Sequence, residues 1–190
     1  MKPDCWSQGR GIFLSKNVDH IFQKTQTGLQ KEFVWPPVEQ DHVTYIVQQY
    51  IDRPHLVDGL KYDLRLYVLL YGVEPLRIYL HQMAFARFCT EPYKRPTREN
   101  ISNSYMHLTN YAINKFADNY EDCENEEGDA GHKRSLGAML KILKKEGANI
   151  ENLMTDIKQI IVKTIIAGQP QLAYLYKVCQ PECPDNSMCF

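Results

Sequence analysis

Polar and apolar positions alternate most clearly in the middle of the chain. Lys61, Asp63 and Arg65 stand at every second position, and Tyr62 and Leu64 alternate with them. Because alternate residues of a strand share a face, the pattern predicts a cation–anion–cation row leading into a strand over residues 63–71. Such a row is costly to bury unless a partner compensates its charges. It therefore predicts a site for nucleotide phosphate or a carboxylate.

The other patterned segments place strands early and helices late in the chain. We expect strands at residues 12–14 and 44–51, and a hairpin of 63–71 with 76–88 through the turn at 72–75. Strand and turn are expected at 107–114, and helices at 19–26, 135–146 and 150–167. The apolar residues of the last helix are interpreted as core: Ile150, Leu153, Met154, Ile157, Ile160, Ile161 and Ile165. This order predicts an α+β fold, mostly antiparallel sheet with packed helices.

Composition narrows the class of protein. The 190 residues are 44% hydrophobic and 24% charged, which is typical of a globular domain or part of one. The net charge of −1 gives no global indication of nucleic acid, no apolar run reaches the roughly 18 residues of a membrane span, and no signal region opens the chain. A cytoplasmic location follows, in which the six cysteines are free thiols. They include no Cys-x-x-Cys pair, so no zinc site is predicted.

Several short segments could contact ligands, and each has an ordinary structural alternative. The turn Gln8–Gly11 near Lys2 could hold phosphate or be a plain β-turn. Residues 48–51 could present a strand end to an adenine edge or simply end a strand. Arg87 could hold a carboxylate or be a surface arginine, and the Thr109–Asn110 pair could be an ordinary turn. The order of these segments along the chain favours the ligand interpretation.

That order resembles the tubulin tyrosine ligase-like family, particularly its polyglutamylase branch, and the resemblance covers nearly the whole chain. The matching segments are Lys2–Asp4, Gln8–Ile12, Val47–Ile51, Asp58–Val68, Ala86–Tyr93, His107–Tyr111 and Lys133–Arg134. The resemblance implies a partial ATP-grasp fold over residues 1–190. It also implies a ligase that uses ATP to add glutamate to glutamate side chains of the tubulin C-terminal tail through an acyl phosphate.

The resemblance also implies roles for individual residues. The expected ATP-binding residues are Lys2, Gln8, Gly9, Gln48, Gln49, Tyr50, Ile51, Lys61, Asp63, Thr109 and Asn110. Lys61 and Arg65 are expected at the reaction centre, and free L-glutamate is expected to meet Arg87, Tyr111 and Lys133. The implied partner is the acidic tubulin tail on microtubules, with the cytoskeleton, including the cilium or basal body, as location. Neither nucleic acid nor membrane is expected as a partner.

The chain departs from the family pattern in ways that suggest an alternative to an active ligase. The expected Mg²⁺ ligands would follow residue 190, so no metal ligand is assigned, and the domain is expected to be incomplete at both ends. Residues 24–43 are interpreted as an insertion, Trp6 stands where a small residue is expected, and Ala112 replaces a serine. The alternative is therefore a catalytically inactive, truncated isoform that retains at most tubulin or nucleotide binding. Preference for alpha- or beta-tubulin, initiation or elongation, and non-tubulin acceptors stay open.

Overall fold

A computed structural model describes residues 1–3, 8–27, 44–122 and 128–179. The chain divides into two compact units, Met1–Asp63 with Arg87–Glu121, and Leu64–Ala86 with Asp122–Phe190. Below they are the first and the second unit. The predictions for Trp6, for most of the insertion at 24–43, and for Cys5, Cys123, Cys183 and Cys189 lie outside the described residues.

The described residues confirm the predicted mixed fold with antiparallel sheet. The strands are β1 Lys2–Pro3, β2 Tyr45–Ile46, β3 Leu56–Val57, β4 Leu60–Arg65, β5 Val68–Val73, β6 Leu76–Leu80, β7 Phe85–Phe88 and β8 Lys133–Ser135. The helices are α1 Val18–Thr27, α2 Ser104–His107, α3 Tyr111–Asn114, α4 Leu136–Lys145 and α5 Ile150–Cys179. Strands pair in the orders β1-β2, β3-β4-β7-β8 and β5-β6.

A tight hairpin in the first unit places the charged row. Strands β3 and β4 pair antiparallel across Asp58 and Gly59, whose φ values are 54° and 74°. Two consecutive positive φ values match the right-handed twist of the flanking strands. Directly after β7, the Cys89 N–H donates to the Lys61 carbonyl at 2.8 Å. The hairpin thus fixes the register of Lys61 and Asp63.

Three predicted elements of the first unit are wrong. Residues 12–14 are not a strand, and the strand expected at 44–51 is only β2. Its partner β1 is only two residues long, and the register pairs Lys2 with Ile46 and Pro3 with Tyr45, so residues 47–51 have no strand partner among the described residues. Residues 107–114 contribute to short helices instead of a strand, because the Asn103 side chain caps α2 at the Tyr105 N–H and starts a helical turn.

The second unit contains the predicted hairpin, but its strands are shorter than expected. Strands β5 and β6 pair from Val68↔Leu80 to Val73↔Leu76, with an irregularity between Leu70 and Gly72. The strand predicted at 63–71 is split into β4 and β5, and the one predicted at 76–88 is split into β6 and β7. The second break follows from a local turn, in which the His81 ring accepts a hydrogen bond from the Met83 N–H at 3.1 Å.

Both late helices form, and the second is longer than predicted. Ser135 caps α4 by accepting from the Ala138 N–H at 3.1 Å. Helix α5 continues through Pro170, well past the expected end at residue 167, and Gln169 on it donates to the Val73 carbonyl at 3.0 Å. The core interpretation of Ile160 is wrong, because this side chain is 64% exposed at the edge of the helix's apolar stripe. Among the described residues, no helix combines the length and hydropathy required to cross a bilayer.

Candidate functional site

A cavity of about 1000 Å³ lies in the first unit and collects most of the predicted nucleotide-binding residues. Its lining includes Lys2, Gln48, Gln49, Tyr50, Ile51, Lys61, Asp63 and Thr109. Apolar side chains of Ile46, Ile51 and Leu108 also line it, beside Lys2 and Lys61. Ligand pockets commonly combine such a largely apolar wall with a few polar groups, and this volume is at the upper end of their range.

Lys61 is the most constrained cation of this cavity. Its ammonium donates to the Tyr50 hydroxyl at 3.0 Å and to the His107 carbonyl at 2.7 Å, and it lies 4.3 Å from the centre of the Tyr50 ring. Burial lowers the pKa of Lys61, while the charges of Cys89 and Asp63 oppose that shift. A lysine ammonium has three donors, and these two acceptors take two of them. The third donor can serve an anion in the cavity.

Asp63 joins three of the predicted residues in one hydrogen-bonded group. Its Oδ1 accepts from Arg87 Nε at 2.9 Å, and its Oδ2 accepts from Arg87 Nη2 at 2.5 Å and from Thr109 Oγ1 at 2.9 Å. The arginine contact is therefore a bidentate fork, which fixes the guanidinium plane. The charged row is compensated by the protein itself at Asp63. The prediction that a ligand compensates the whole row of Lys61, Asp63 and Arg65 is therefore corrected: an external anion is needed only for the two cations.

Asn114 is a site-supporting residue that the sequence did not indicate. It is 1% exposed, and its Oδ1 accepts from both the N–H and the hydroxyl of Thr90 at 3.1 Å. Its Nδ2 donates to the carbonyls of Leu108 at 2.7 Å and Asn110 at 3.0 Å. Asn114 thereby holds both ends of the segment that carries Thr109. A single asparagine has no sequence signature, so only the structure could show this role.

The predicted phosphate turn packs against helix α3 and does not line the cavity. Gly9 has φ +82°, and a Cβ built on it would lie 2.9 Å from Ile113 Cδ1 and 3.0 Å from Asn110 Cγ. Only glycine satisfies both the positive φ and this close approach. The turn of Gln8 and Gly9 therefore lies beside Asn110, so two segments that were predicted to bind ATP are neighbours. Tyr111, at the start of α3, is 49% exposed and contacts the Tyr120 ring at 5.9 Å.

Two predicted residues belong to the second unit. Arg65 is exposed at the end of β4, with its guanidinium 5.5 Å from the centre of the Tyr67 ring. Lys133, on β8, lies 4.9 Å from the centre of the Phe85 ring and lines a cavity of about 480 Å³ with Arg134. Throughout the part of the chain that the structure describes, no three His, Cys, Asp or Glu side chains form a group able to hold a metal ion.

Comparison with known proteins places the chain in a family. The model of the tubulin-tyrosine ligase family matches residues 1–190. The chain belongs to the tubulin-tyrosine ligase family. This confirms the resemblance found from its segments.

The family's curated relatives indicate the branch. The chain is similar to a probable beta-tubulin polyglutamylase of Tetrahymena thermophila, with 46% identity over all of this chain and 14% of the relative. It is also similar to the human tubulin polyglutamylases TTLL13, with 39% identity over 99% of the chain and 20% of the relative, and TTLL6, with 36% over 100% and 19%. The resemblance to the polyglutamylase branch is thus confirmed. The chain spans about a fifth or less of the length of these three relatives.

Proposed function

We propose that this chain is part of an ATP-dependent ligase that adds glutamate to glutamate side chains of the tubulin C-terminal tail. The family match and the polyglutamylases among its relatives support this activity. The single observation that carries the proposal is the position of Lys61, which lines the large cavity with one ammonium donor left for an anion. A fixed cation in an apolar-walled cavity is suited to a nucleotide phosphate.

The cavity residues fit ATP in both size and charge. Lys61 and Lys2 offer positive charge, and residues 48–51 offer backbone groups beside the apolar side chain of Ile51. Thr109 lines the same wall with its hydroxyl oriented by Asp63. ATP, when bound, supplies the phosphoryl group that activates an acceptor carboxylate. The protein's part is to position the reacting groups and to offset negative charge, which dominates the catalysis of phosphoryl transfer.

The amino-acid substrate is proposed to bind beside the cavity through Arg87. Asp63 fixes the plane of the Arg87 guanidinium, and a fixed guanidinium presents its donors to a carboxylate with little loss of freedom. From the family positions, we add Tyr111 and Lys133 as glutamate-binding residues and Arg65 as a residue of the reaction centre. Free glutamate and the tail acceptor are both anionic, so cations are required where they meet.

The wider setting follows the same proposal. The macromolecular partner is the acidic tubulin tail on microtubules, and the location is the cytoplasmic cytoskeleton, including the cilium or basal body. Mg²⁺ is proposed as a cofactor that accompanies the ATP phosphates. The second candidate is a chain that binds nucleotide or tubulin without catalysis.

One incubation separates the two candidates. The purified chain is mixed with ATP, Mg²⁺, labelled glutamate and microtubules, and the label on tubulin is measured. The ligase proposal expects ATP-dependent incorporation that is lost in Lys61→Ala and in Arg65→Ala, and kept in the control His55→Ala. Microtubules whose acidic tails have been cleaved should accept no label. ATP binding without any incorporation supports the inactive candidate and contradicts the ligase proposal for this chain.

A further inference from the structure

His107 is buried directly behind Lys61 and contacts it in two ways. The His107 side chain belongs to a residue that is 1% exposed, and its backbone carbonyl accepts from the Lys61 ammonium at 2.7 Å. Its ring Nδ1 lies 3.1 Å from the Tyr50 hydroxyl, which itself accepts from Lys61. The ring Nε2 lies 3.1 Å from the Asn100 carbonyl oxygen. One residue thus contacts the lysine through its main chain and through an intervening hydroxyl.

The hydrogen-bond partners of His107 indicate the tautomer of its ring. The Asn100 carbonyl can only accept, so Nε2 must carry the ring proton. Nδ1 of the neutral ring then accepts from the Tyr50 hydroxyl, whose lone pairs are left to face the Lys61 ammonium. If Nδ1 were also protonated, the Tyr50 hydroxyl could no longer donate to the ring and would turn to its other neighbour, Tyr93, which changes the direction of the lone pairs that Lys61 contacts.

The surroundings of the ring favour its neutral form. Burial lowers the pKa of His107, the hydrogen bond to the Asn100 carbonyl opposes this, and the charge of Lys61 lowers the pKa further. Tyr50 and Tyr93 pack edge-on against the ring, with centroids 5.8 Å away in each case. Lys61, Tyr50 and Tyr93 are the titratable groups that these elements bring to it.

We propose that His107 is a positioning residue for Lys61. Its ring orients the Tyr50 hydroxyl so that the hydroxyl oxygen accepts from the Lys61 ammonium, which keeps its third donor directed to an anionic ligand. This inference rests on the proposed function, because it takes the ligand to be the phosphate of ATP. A histidine that only fills the core is the alternative. The positioning role and the core-filling role differ in whether the hydrogen bond at Nδ1 matters for ATP binding.

Two conservative substitutions divide the imidazole. Asparagine places its side-chain oxygen near the position of Nδ1, whereas glutamine reaches the position of Nε2. His107→Asn should therefore keep ATP affinity within about twofold, and His107→Gln should weaken it about tenfold, the scale of a lost hydrogen bond to a charged group. Tyr50→Phe should weaken it similarly, and the double variant Tyr50→Phe with His107→Gln should lose no more than either alone.

The chain contains a matched control pair. His55 Nδ1 lies 3.1 Å from the Tyr62 hydroxyl, with ring centroids 6.0 Å apart, which is nearly the same arrangement. In contrast to His107, His55 is exposed. It is not among the residues that line the cavity. His55→Gln should leave ATP affinity unchanged. The tautomer is read on the wild-type chain by ¹⁵N NMR of the imidazoles, so it does not depend on any variant folding. His107 should show a neutral ring with the proton on Nε2 at pH 7.

The outcomes separate this inference from the function on which it rests. Wild-type chain that fails to bind ATP in calorimetry overturns the proposed function and this inference together. Wild-type chain that binds ATP, with His107→Gln binding equally well, overturns this inference alone. A proton on Nδ1 in the NMR spectrum does the same, because the Tyr50 hydroxyl would then lack the acceptor that orients it.

Discussion

Both carboxylate oxygens of Asp63 accept hydrogen bonds from Arg87, at 2.9 and 2.5 Å. The side chains of the pair retain 23% exposure for Arg87 and 37% for Asp63, so the fork is partly shielded from water without being a buried ion pair. In the proposed ligase this contact explains how an arginine meant for the amino-acid substrate is oriented before the substrate arrives. The Thr109 hydroxyl shares one of the same oxygens, which links the nucleotide wall to the arginine.

Replacing Asp63 with asparagine should therefore disturb both folding and catalysis. Asp63→Asn removes the charge and turns an NH₂ group toward Arg87, so we expect a loss of about 1–3 kcal/mol in the free energy of unfolding. The matched control is Lys177→Ala, which removes an ion pair to Glu74 whose side chains are 62% and 55% exposed. That control should change stability by less than about 1 kcal/mol. Equal small effects from both variants in urea titrations would contradict the role given to Asp63.

Asn114→Ala should be among the most destabilising single changes in the first unit. It leaves the Thr90 donors and the carbonyls of Leu108 and Asn110 without their partner in a buried place, which should cost about 2–4 kcal/mol. Asn152→Ala, on the exposed side of α5, should cost less than about 0.5 kcal/mol. Thermal unfolding of the two variants checks the difference. A small loss in Asn114→Ala would mean that water replaces the amide.

A pair of glycine variants separates backbone strain from contact at the phosphate turn. Gly9→Ala and Gly147→Ala both force alanine to a positive φ, +82° and +92°, which should cost about 1–2 kcal/mol in each. Only at Gly9 would the new Cβ press on Asn110, because nothing lies within 4 Å of a Cβ at Gly147. ATP affinity should therefore fall in Gly9→Ala and stay near the wild-type value in Gly147→Ala. Equal affinities would show that the turn does not act through Asn110.

The sequence predicts this site better than it predicts the strands around it. Alternation alone placed Lys61 and Asp63 on a common face, because a strand has a strict two-residue period. It could not show that Arg87 neutralises Asp63, since that pairing depends on the register of β4 beside β7. The expected strand at 44–51 is reduced to β2 because only the two residues of β1 pair with it, which is a property of another segment. Ile160 was predicted to be in the core because helical spacing identifies the apolar face of a helix but does not show which residues at the edge of that face are exposed.

The stability of the chain should depend on pH through His107. Its folded pKa is lower than the ordinary 6.5, so below that pH the unfolded chain binds more protons than the folded chain. The contribution is fully present above pH 6.5, and it is lost as the pH falls from there through the folded pKa. Comparing wild type with His107→Asn cancels the other titrating groups. The melting temperature of wild type should drop more steeply than that of the variant below pH 6.5, and parallel curves would contradict this.

ATP binding to the chain, measured by calorimetry for wild type and for Lys61→Gln, tests the central claim most directly. Glutamine keeps a donor for the Tyr50 hydroxyl but removes the charge, and Lys177→Gln serves as a charge-matched control far along α5. Wild type and Lys177→Gln should bind ATP equally, and Lys61→Gln should bind it at least about tenfold more weakly. Wild-type chain that binds no ATP, or Lys61→Gln that binds it as tightly as wild type, would contradict a nucleotide site built around Lys61.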